Sequence, residues 1–162
     1  MISAARTALA GLALILSAAP VAAQAASTVD RPQFIRVIAK DYVYDAPASV
    51  PSGIATIHLI NQGVDIHHVT VQELPNGKSV KDFFDATRAS GRAPAWSRNL
   101  AQTAQVPAGG EAFLAFRMPP GRYILSCLIP AADGRSHVAK GMYQVLTATV
   151  ATAAPAGAAR RP

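Results

Sequence analysis

Short β-rich segments that end at turn signals constrain the fold of this chain more than any other feature. The segments alternate apolar and polar side chains or are rich in β-branched residues, and clusters of Pro, Gly, Asn and Asp separate them. Such clusters favour turns between strands. The pattern predicts an all-β fold, a small antiparallel β-sandwich, with strands at 34–39, 55–60, 67–72, 112–118, 122–128 and 142–150.

One segment has helical periodicity instead. Apolar side chains recur at i, i+3 and i+4 around Phe83, and Ser79 is placed to cap the first turn. Gly91 follows the last periodic residue and favours termination of the helix. We expect one short helix over 79–90, laid on a face of the sandwich and covered by Trp96.

The N-terminal region differs in composition from the middle of the chain. Arg6 is the only charged residue before Asp30, and the apolar run Ala8–Ala19 is followed by Ala23-Gln-Ala25. A positive start, a short apolar region and an Ala-x-Ala site are typical of a secretory signal peptide. The run is shorter than the roughly 20 residues of a membrane span. We expect a cleaved signal over 1–25 and a periplasmic or secreted mature chain without a membrane span.

Length and charge exclude several classes of protein. The 162-residue chain has 15 Lys+Arg, 9 Asp+Glu and one cysteine. This length fits one domain, which we place at 30–150, followed by a disordered Ala/Pro-rich tail at 151–162. A single cysteine cannot form an intramolecular disulfide, and scattered basic residues argue against nucleic-acid binding. We expect a monomer.

Four residues of the predicted sandwich carry metal-binding chemistry. Cys127 lies near the end of the fifth predicted strand, His137 follows ten residues later, Met142 follows five after that, and His67 lies far upstream. Imidazole, thiolate and thioether donors together suit copper, and a trigonal His₂Cys set with a weak axial Met is the blue-copper arrangement. Zinc on the two histidines and the cysteine is the weaker alternative, because zinc gains little from a thioether.

Two adjacent histidines compete for one ligand position. In a strand, His67 shares a face with Val69 and Val71, whereas His68 lies on the opposite face. Because the valine face is interpreted as the core face, His67 is the better candidate ligand. His68 would then contact a ligand or face solvent, and a β-bulge would reverse the two assignments.

Several motifs between Phe34 and Val150 carry a family resemblance. They are Asp41-Tyr-Val-Tyr44, Val50-Pro-Ser-Gly53, Asn61-x-Gly63 before His67, Val106-Pro-Ala-Gly-Gly-Glu111, Pro120-Gly-Arg-Tyr123 before Cys127, and His137-x₄-Met142. With them the chain resembles the cupredoxins, the family of plastocyanin, azurin and the copper domains of nitrite reductases. The Cys-x₉-His-x₄-Met spacing is similar to the long ligand loop of the nitrite-reductase copper domain.

The resemblance implies a cupredoxin-like Greek-key sandwich with one type 1 copper. His67, Cys127 and His137 would be the equatorial ligands and Met142 the axial ligand, with Asn61 and Ser126 as candidates for hydrogen bonds around them.

The implied function is one-electron transfer with redox partner proteins of unknown identity. The alternatives are a copper-handling chaperone or sensor, and a copper-free interaction domain. Enzyme activity is disfavoured, because the chain has no His-x-His pair of the kind that multicopper oxidases need, and it has no recognisable nucleophile motif or phosphate loop.

Overall fold

Two β-sheets packed face to face form the structure, a computed structural model that describes residues 32–90 and 92–150. The expected signal peptide at 1–25 and the expected tail at 151–162 lie outside the described residues. The strands are β1 (Gln33–Lys40), β2 (Val43–Asp45), β3 (Ser49–Pro51), β4 (Gly53–Asn61), β5 (Thr70–Glu73), β6 (Asn99–Gln102), β7 (Glu111–Met118), β8 (Gly121–Ser126) and β9 (Tyr143–Thr149).

The sheets have the strand orders β2-β1-β4-β7 and β3-β9-β8-β5-β6. The predicted β-sandwich is confirmed, but its sheets are mixed rather than wholly antiparallel. Strand β1 runs parallel to β4, and β3 runs parallel to β9. The reason is that the chain leaves the first sheet through the short β3 and then returns as β4 in the direction of β1.

Strand boundaries depart most from the prediction at the two adjacent histidines. The strand expected at 67–72 begins only at Thr70. Outside the strands, His67 forms an isolated bridge with Val106, in which each backbone amide donates to the other residue's carbonyl, at 3.0 and 2.8 Å. Strands β2, β3 and β6 were not predicted, because they have only three or four residues each and show too little periodicity.

Strand β8 buries side chains on both of its faces. Tyr123, Leu125 and Cys127 point into the main core between the sheets, as alternation predicts, where they join apolar residues of β1, β4 and β9. Ile124 points the other way and packs under the helix. The central position of β8 therefore delivers Cys127, which follows directly after it, to the interior of the sandwich.

The predicted helix is confirmed as α1 (Val80–Ser90), which covers the outer face of the second sheet. Ser79 and Asp82 form a capping box, because the amide of each residue donates to the side-chain oxygen of the other. Phe83 is fully buried, and Trp96 packs edge-on against it with 6.3 Å between ring centroids. In the described part of the chain, no helix has the length and apolar character that a membrane span requires.

The burial of Phe83 generates a stability prediction. Replacement by Ala leaves a cavity beneath α1, so Phe83→Ala should lower the free energy of unfolding by about 3–5 kcal/mol. Phe34→Ala is the matched control, because the Phe34 side chain is 74% exposed. Its effect should stay within about 0.5 kcal/mol. Urea unfolding of both variants measures the difference, and equal losses would contradict this packing of the helix.

Candidate metal centre

Three buried side chains meet at one end of the sandwich. They are His67 at its bridge to Val106, Cys127 just after β8, and His137 at the start of a 3₁₀ helix (His137–Lys140). His137 Nδ1 lies 3.1 Å from His67 Nδ1 and 3.4 Å from Cys127 Sγ. Each of the three residues is at most 1% exposed.

The donor atoms of this cluster fit a single metal ion. Two atoms that bind one ion at about 2.0–2.3 Å lie no more than about 4.6 Å apart, and the separations of 3.1 and 3.4 Å meet this condition. One ligand atom from each of the three residues lies within 4.8 Å of the other two, so a single ion placed among them could contact all three. Two imidazoles and a thiol form a donor set that suits copper or zinc.

Met142 is fully buried beside the cluster, and its backbone links two of the cluster residues. Its amide donates to the carbonyl of His137 at 3.0 Å, and its carbonyl accepts from the amide of Cys127 at 3.3 Å. The structure therefore places the Met142 backbone next to the three clustered residues, although 75 positions separate His67 from Met142 in the chain.

The long segment between Cys127 and His137 is ordered by backbone hydrogen bonds. Pro130 and Ser136 form a bridge, and the His137 amide donates to the Ile129 carbonyl at 2.9 Å. The Val138 amide donates to the Cys127 carbonyl at 2.8 Å. The predicted ligand loop is thus a small hairpin that leads into the 3₁₀ helix. This folding keeps His137 close to Cys127 although nine residues separate them in the chain.

Asp41 orients the His67 ring. Asp41 Oδ1 lies 2.6 Å from His67 Nε2, and the carboxylate also accepts from the amides of Val64 and Asp65. A proton on Nε2 that is donated to Asp41 leaves the Nδ1 lone pair free to face the cluster. Burial opposes ionisation of Asp41, but the hydrogen bonds from Val64 and His67 outweigh it and lower the carboxyl pKa.

Gly63 makes room for this contact. A Cβ atom at this position would lie 2.3 Å from Asp41 Oδ1 and 2.8 Å from His67 Nε2, closer than real Cβ contacts occur. The role of Asp41 could not be predicted from the sequence, in which it stands out only as the first residue of the Asp41-Tyr-Val-Tyr44 motif. Asp41 and His67 are 26 residues apart, and no local pattern connects them.

Asn61 and Ser126 were expected to form hydrogen bonds around the ligands, and only the Asn61 side chain forms them. Its side-chain amide donates to the carbonyls of Asp65 and Val106 at 2.7 and 3.0 Å, and its oxygen accepts from the Gly63 amide. Asn61 therefore ties the loop before His67 to its bridge partner. Among the described residues, the buried Ser126 hydroxyl has no hydrogen-bond partner.

His68 lies outside the donor cluster and does not face solvent. It is 5% exposed, and its Nε2 accepts from the Leu128 amide at 3.0 Å. The valine face is not the only buried face here, because Thr70 and Gln72 are buried as well. Burial, followed by electrostatic interactions with His137 and His67, lowers the pKa of His68 to about 4, so it is neutral at neutral pH.

The environments of Cys127 and His137 affect their protonation in opposite directions. Burial raises the pKa of the Cys127 thiol, although hydrogen bonds from the backbone amides of His68 and Ile129 oppose the rise. Burial, followed by the charge of His67, lowers the pKa of His137. At neutral pH the metal-free site therefore contains a thiol and a neutral His137 imidazole.

Sequence comparison does not place the chain, because no protein-family profile matches it and no curated protein sequence is similar to it. Solved structures do resemble it. Auracyanin A, a "blue" copper protein from the green thermophilic photosynthetic bacterium Chloroflexus aurantiacus, is 18% identical with a TM-score of 0.53, over 74% of this chain and 100% of that one.

Two further structures support the same comparison. A dithionite-reduced auracyanin from Roseiflexus castenholzii is 24% identical with a TM-score of 0.50, over 75% of this chain and 97% of that one. An azurin from Methylomonas sp. strain J is 15% identical with a TM-score of 0.50, over 72% and 97%. The chain has the cupredoxin fold, as its motifs implied.

The lowered pKa of His68 predicts how the metal-free protein responds to acid. Between pH 7 and pH 5 an unfolded imidazole, with a pKa near 6.5, takes up a proton, whereas the folded His68 stays neutral. The free energy of unfolding is therefore not reduced by His68 above pH 6.5, and it falls as the pH drops from 6.5 towards 4. At pH 5 the loss caused by this one group is roughly 2 kcal/mol.

The variant His68→Gln isolates this contribution. Its amide oxygen can still accept from the Leu128 amide, but the side chain does not titrate. Urea unfolding at pH 7 and pH 5 should show a smaller loss of unfolding free energy for the variant than for the natural chain. Equal losses would mean that His68 is not buried as a neutral imidazole.

Proposed function

We propose that this protein binds one type 1 copper ion and carries single electrons. His67 Nδ1, Cys127 Sγ and His137 Nδ1 would be the equatorial ligands, and the Met142 thioether the weak axial ligand. The observation that carries the proposal is the convergence of two imidazole nitrogens and one sulfur in a buried cluster of a cupredoxin fold. Copper in such a set alternates between Cu(I) and Cu(II) and so exchanges one electron.

The protein contributes a rigid ligand frame. The bridge to Val106 and the carboxylate of Asp41 fix His67, while backbone bonds to Met142 and Ile129 fix Cys127 and His137. Ligands that are held independently of the ion have little freedom to rearrange when its charge changes. This supports an electron carrier over a metal chaperone or sensor, since a protein that delivers its metal has to open the site.

Protons also move when the site loads. Because burial keeps the Cys127 thiol protonated at neutral pH, formation of the thiolate releases one proton from this side chain. His67 offers Nδ1 while its Nε2 keeps its proton and donates it in the hydrogen bond to Asp41. The burial of the cluster keeps water away from the sulfur, which protects the thiolate from competing ligands and from oxidation.

Auracyanin A, which is described as a blue copper protein, supports the proposed cofactor by its similar fold. We further propose that the chain acts in the periplasm or outside the cell after removal of residues 1–25. It would act as a monomer that passes electrons between partner proteins and catalyses no reaction of its own. The support for this location is the pattern around Arg6 and the apolar run that follows it.

The visible spectrum of the copper-loaded mature protein tests the ligand set. Addition of Cu(II) should produce an intense thiolate-to-copper absorption band, and Cys127→Ala should abolish it, because the sulfur is its source. His67→Ala should also lose the band and tight binding. His68→Gln is the matched control one residue away, and it should retain both. A Cys127→Ala variant that keeps its colour would refute the assignment.

The reduction potential tests Met142. Met142→Leu should keep the copper and the colour while the potential rises, because loss of a sulfur donor disfavours Cu(II) more than Cu(I). Met142→Gln should lower the potential, since an oxygen donor favours Cu(II). The swap to Leu conserves volume and should cost under about 1.5 kcal/mol of stability.

Reversible voltammetry of the loaded protein measures both variants. A tenfold change in the relative affinity for the two oxidation states corresponds to about 59 mV. An unchanged potential in Met142→Leu, with copper bound, would make Met142 a packing residue. Loss of metal on every reduction would favour the copper-handling alternative.

A further inference from the structure

The His137 ring is closed off from solvent on the side that does not face the cluster. The residue is 1% exposed. In the described part of the chain its Nε2 atom has no hydrogen-bond partner, and Asp65 Oδ2 is 3.8 Å away. The Nε2 edge of the imidazole is therefore shielded from solvent although it forms no hydrogen bond, so neighbouring side chains must provide the shielding.

Tyr42 provides this shielding. Its ring lies against His137, with 4.8 Å between centroids and a 59° tilt. Its hydroxyl donates to Asp65 Oδ2 at 2.8 Å, the same carboxylate oxygen that lies near His137 Nε2. Tyr42 itself is only partly buried, so its ring separates the imidazole from solvent.

Lys140 fixes Tyr42 in this position. The Lys140 ammonium lies 4.4 Å from the centre of the Tyr42 ring and pairs with Asp133 Oδ2 at 3.0 Å. A cation over an aromatic face stabilises the contact, more so when it is partly desolvated, and this side chain is 19% exposed. Lys140 and Asp133 belong to the ligand-loop region, whereas Tyr42 follows β1. The contact therefore joins separate chain segments around His137.

We propose that Tyr42 determines which reagents reach the metal centre. Its ring excludes water and small anions from the His137 side, so that the site exchanges electrons without binding an external ligand. The part of this inference that concerns the metal rests on the proposed copper site. The part that concerns His137 does not, because the ring covers the imidazole in the protein without metal.

Modification of the metal-free protein by diethyl pyrocarbonate at neutral pH tests the shielding. Peptide mass spectrometry reports each histidine separately. In the natural chain His137 should react slowly, whereas His58, whose side chain is 26% exposed, should react readily. Tyr42→Ala should accelerate modification of His137 several-fold. Tyr42→Phe keeps the ring and should leave His137 protected.

Two controls separate shielding from general loosening. Tyr143→Ala removes another partly buried tyrosine, one that packs on Phe84 in α1 with 4.5 Å between centroids, and it should leave the His137 rate unchanged. The buried His68 is the internal reference. If Tyr42→Ala accelerates His68 and His137 equally, or accelerates neither, the proposal is overturned.

Addition of azide to the copper-loaded protein tests whether Tyr42 excludes small anions from the metal. Azide should leave the visible spectrum of the natural chain and of Tyr42→Phe unchanged, and it should shift the spectrum of Tyr42→Ala. If copper does not bind but His137 becomes reactive in Tyr42→Ala, the proposed function fails while the shielding role stands. If copper binds and Tyr42→Ala neither exposes His137 nor admits azide, the role of Tyr42 is refuted and the copper site stands.

Discussion

Two imidazoles and a thiol are buried with their donor atoms close together, an arrangement that is costly and that the surrounding sheets have to hold. His67 Nδ1 and His137 Nδ1 are 3.1 Å apart, so no more than one proton can lie between them. Polar groups that are buried without full hydrogen bonding cost free energy. The arrangement persists because the two sheets and their backbone hydrogen bonds hold it, and such local conflict with folding is typical of functional sites.

The two histidines of this cluster are supported by consecutive residues. Asp41 accepts from His67 Nε2, and Tyr42 covers the ring of His137. The segment after β1 thus orients one imidazole and shields the other. Asp65 connects the two supports, because its amide donates to Asp41 and its carboxylate accepts from the Tyr42 hydroxyl. One small network of hydrogen bonds therefore connects the supports of both histidines, although neither Asp41 nor Tyr42 belongs to the donor set.

Strand alternation predicted correctly which side chains of β8 point into the main core, and it was less reliable for the residues just before β5. On β8 it placed Tyr123 and Cys127 in the main core, since the strand is regular there. Before β5 the same argument favoured His67 over His68 because the valine face was interpreted as the core face, and it left His68 either to contact a ligand or to face solvent. In the structure both are buried, and His67 joins the cluster through its bridge to Val106. The choice matches the geometry, since His67 lies in the donor cluster and His68 does not, although neither faces solvent.

The sandwich, the helix and four residues with suitable donor atoms were predictable from the sequence, because periodicity, turn residues and donor chemistry are local properties of a chain. How those residues come together depends on the packing of the two sheets. The parallel pairing of β1 with β4, the carboxylate of Asp41 on His67, the space left by Gly63 and the ring of Tyr42 over His137 join positions far apart in the chain. Such contacts depend on how the two sheets pack, and no pattern within a single segment encodes them.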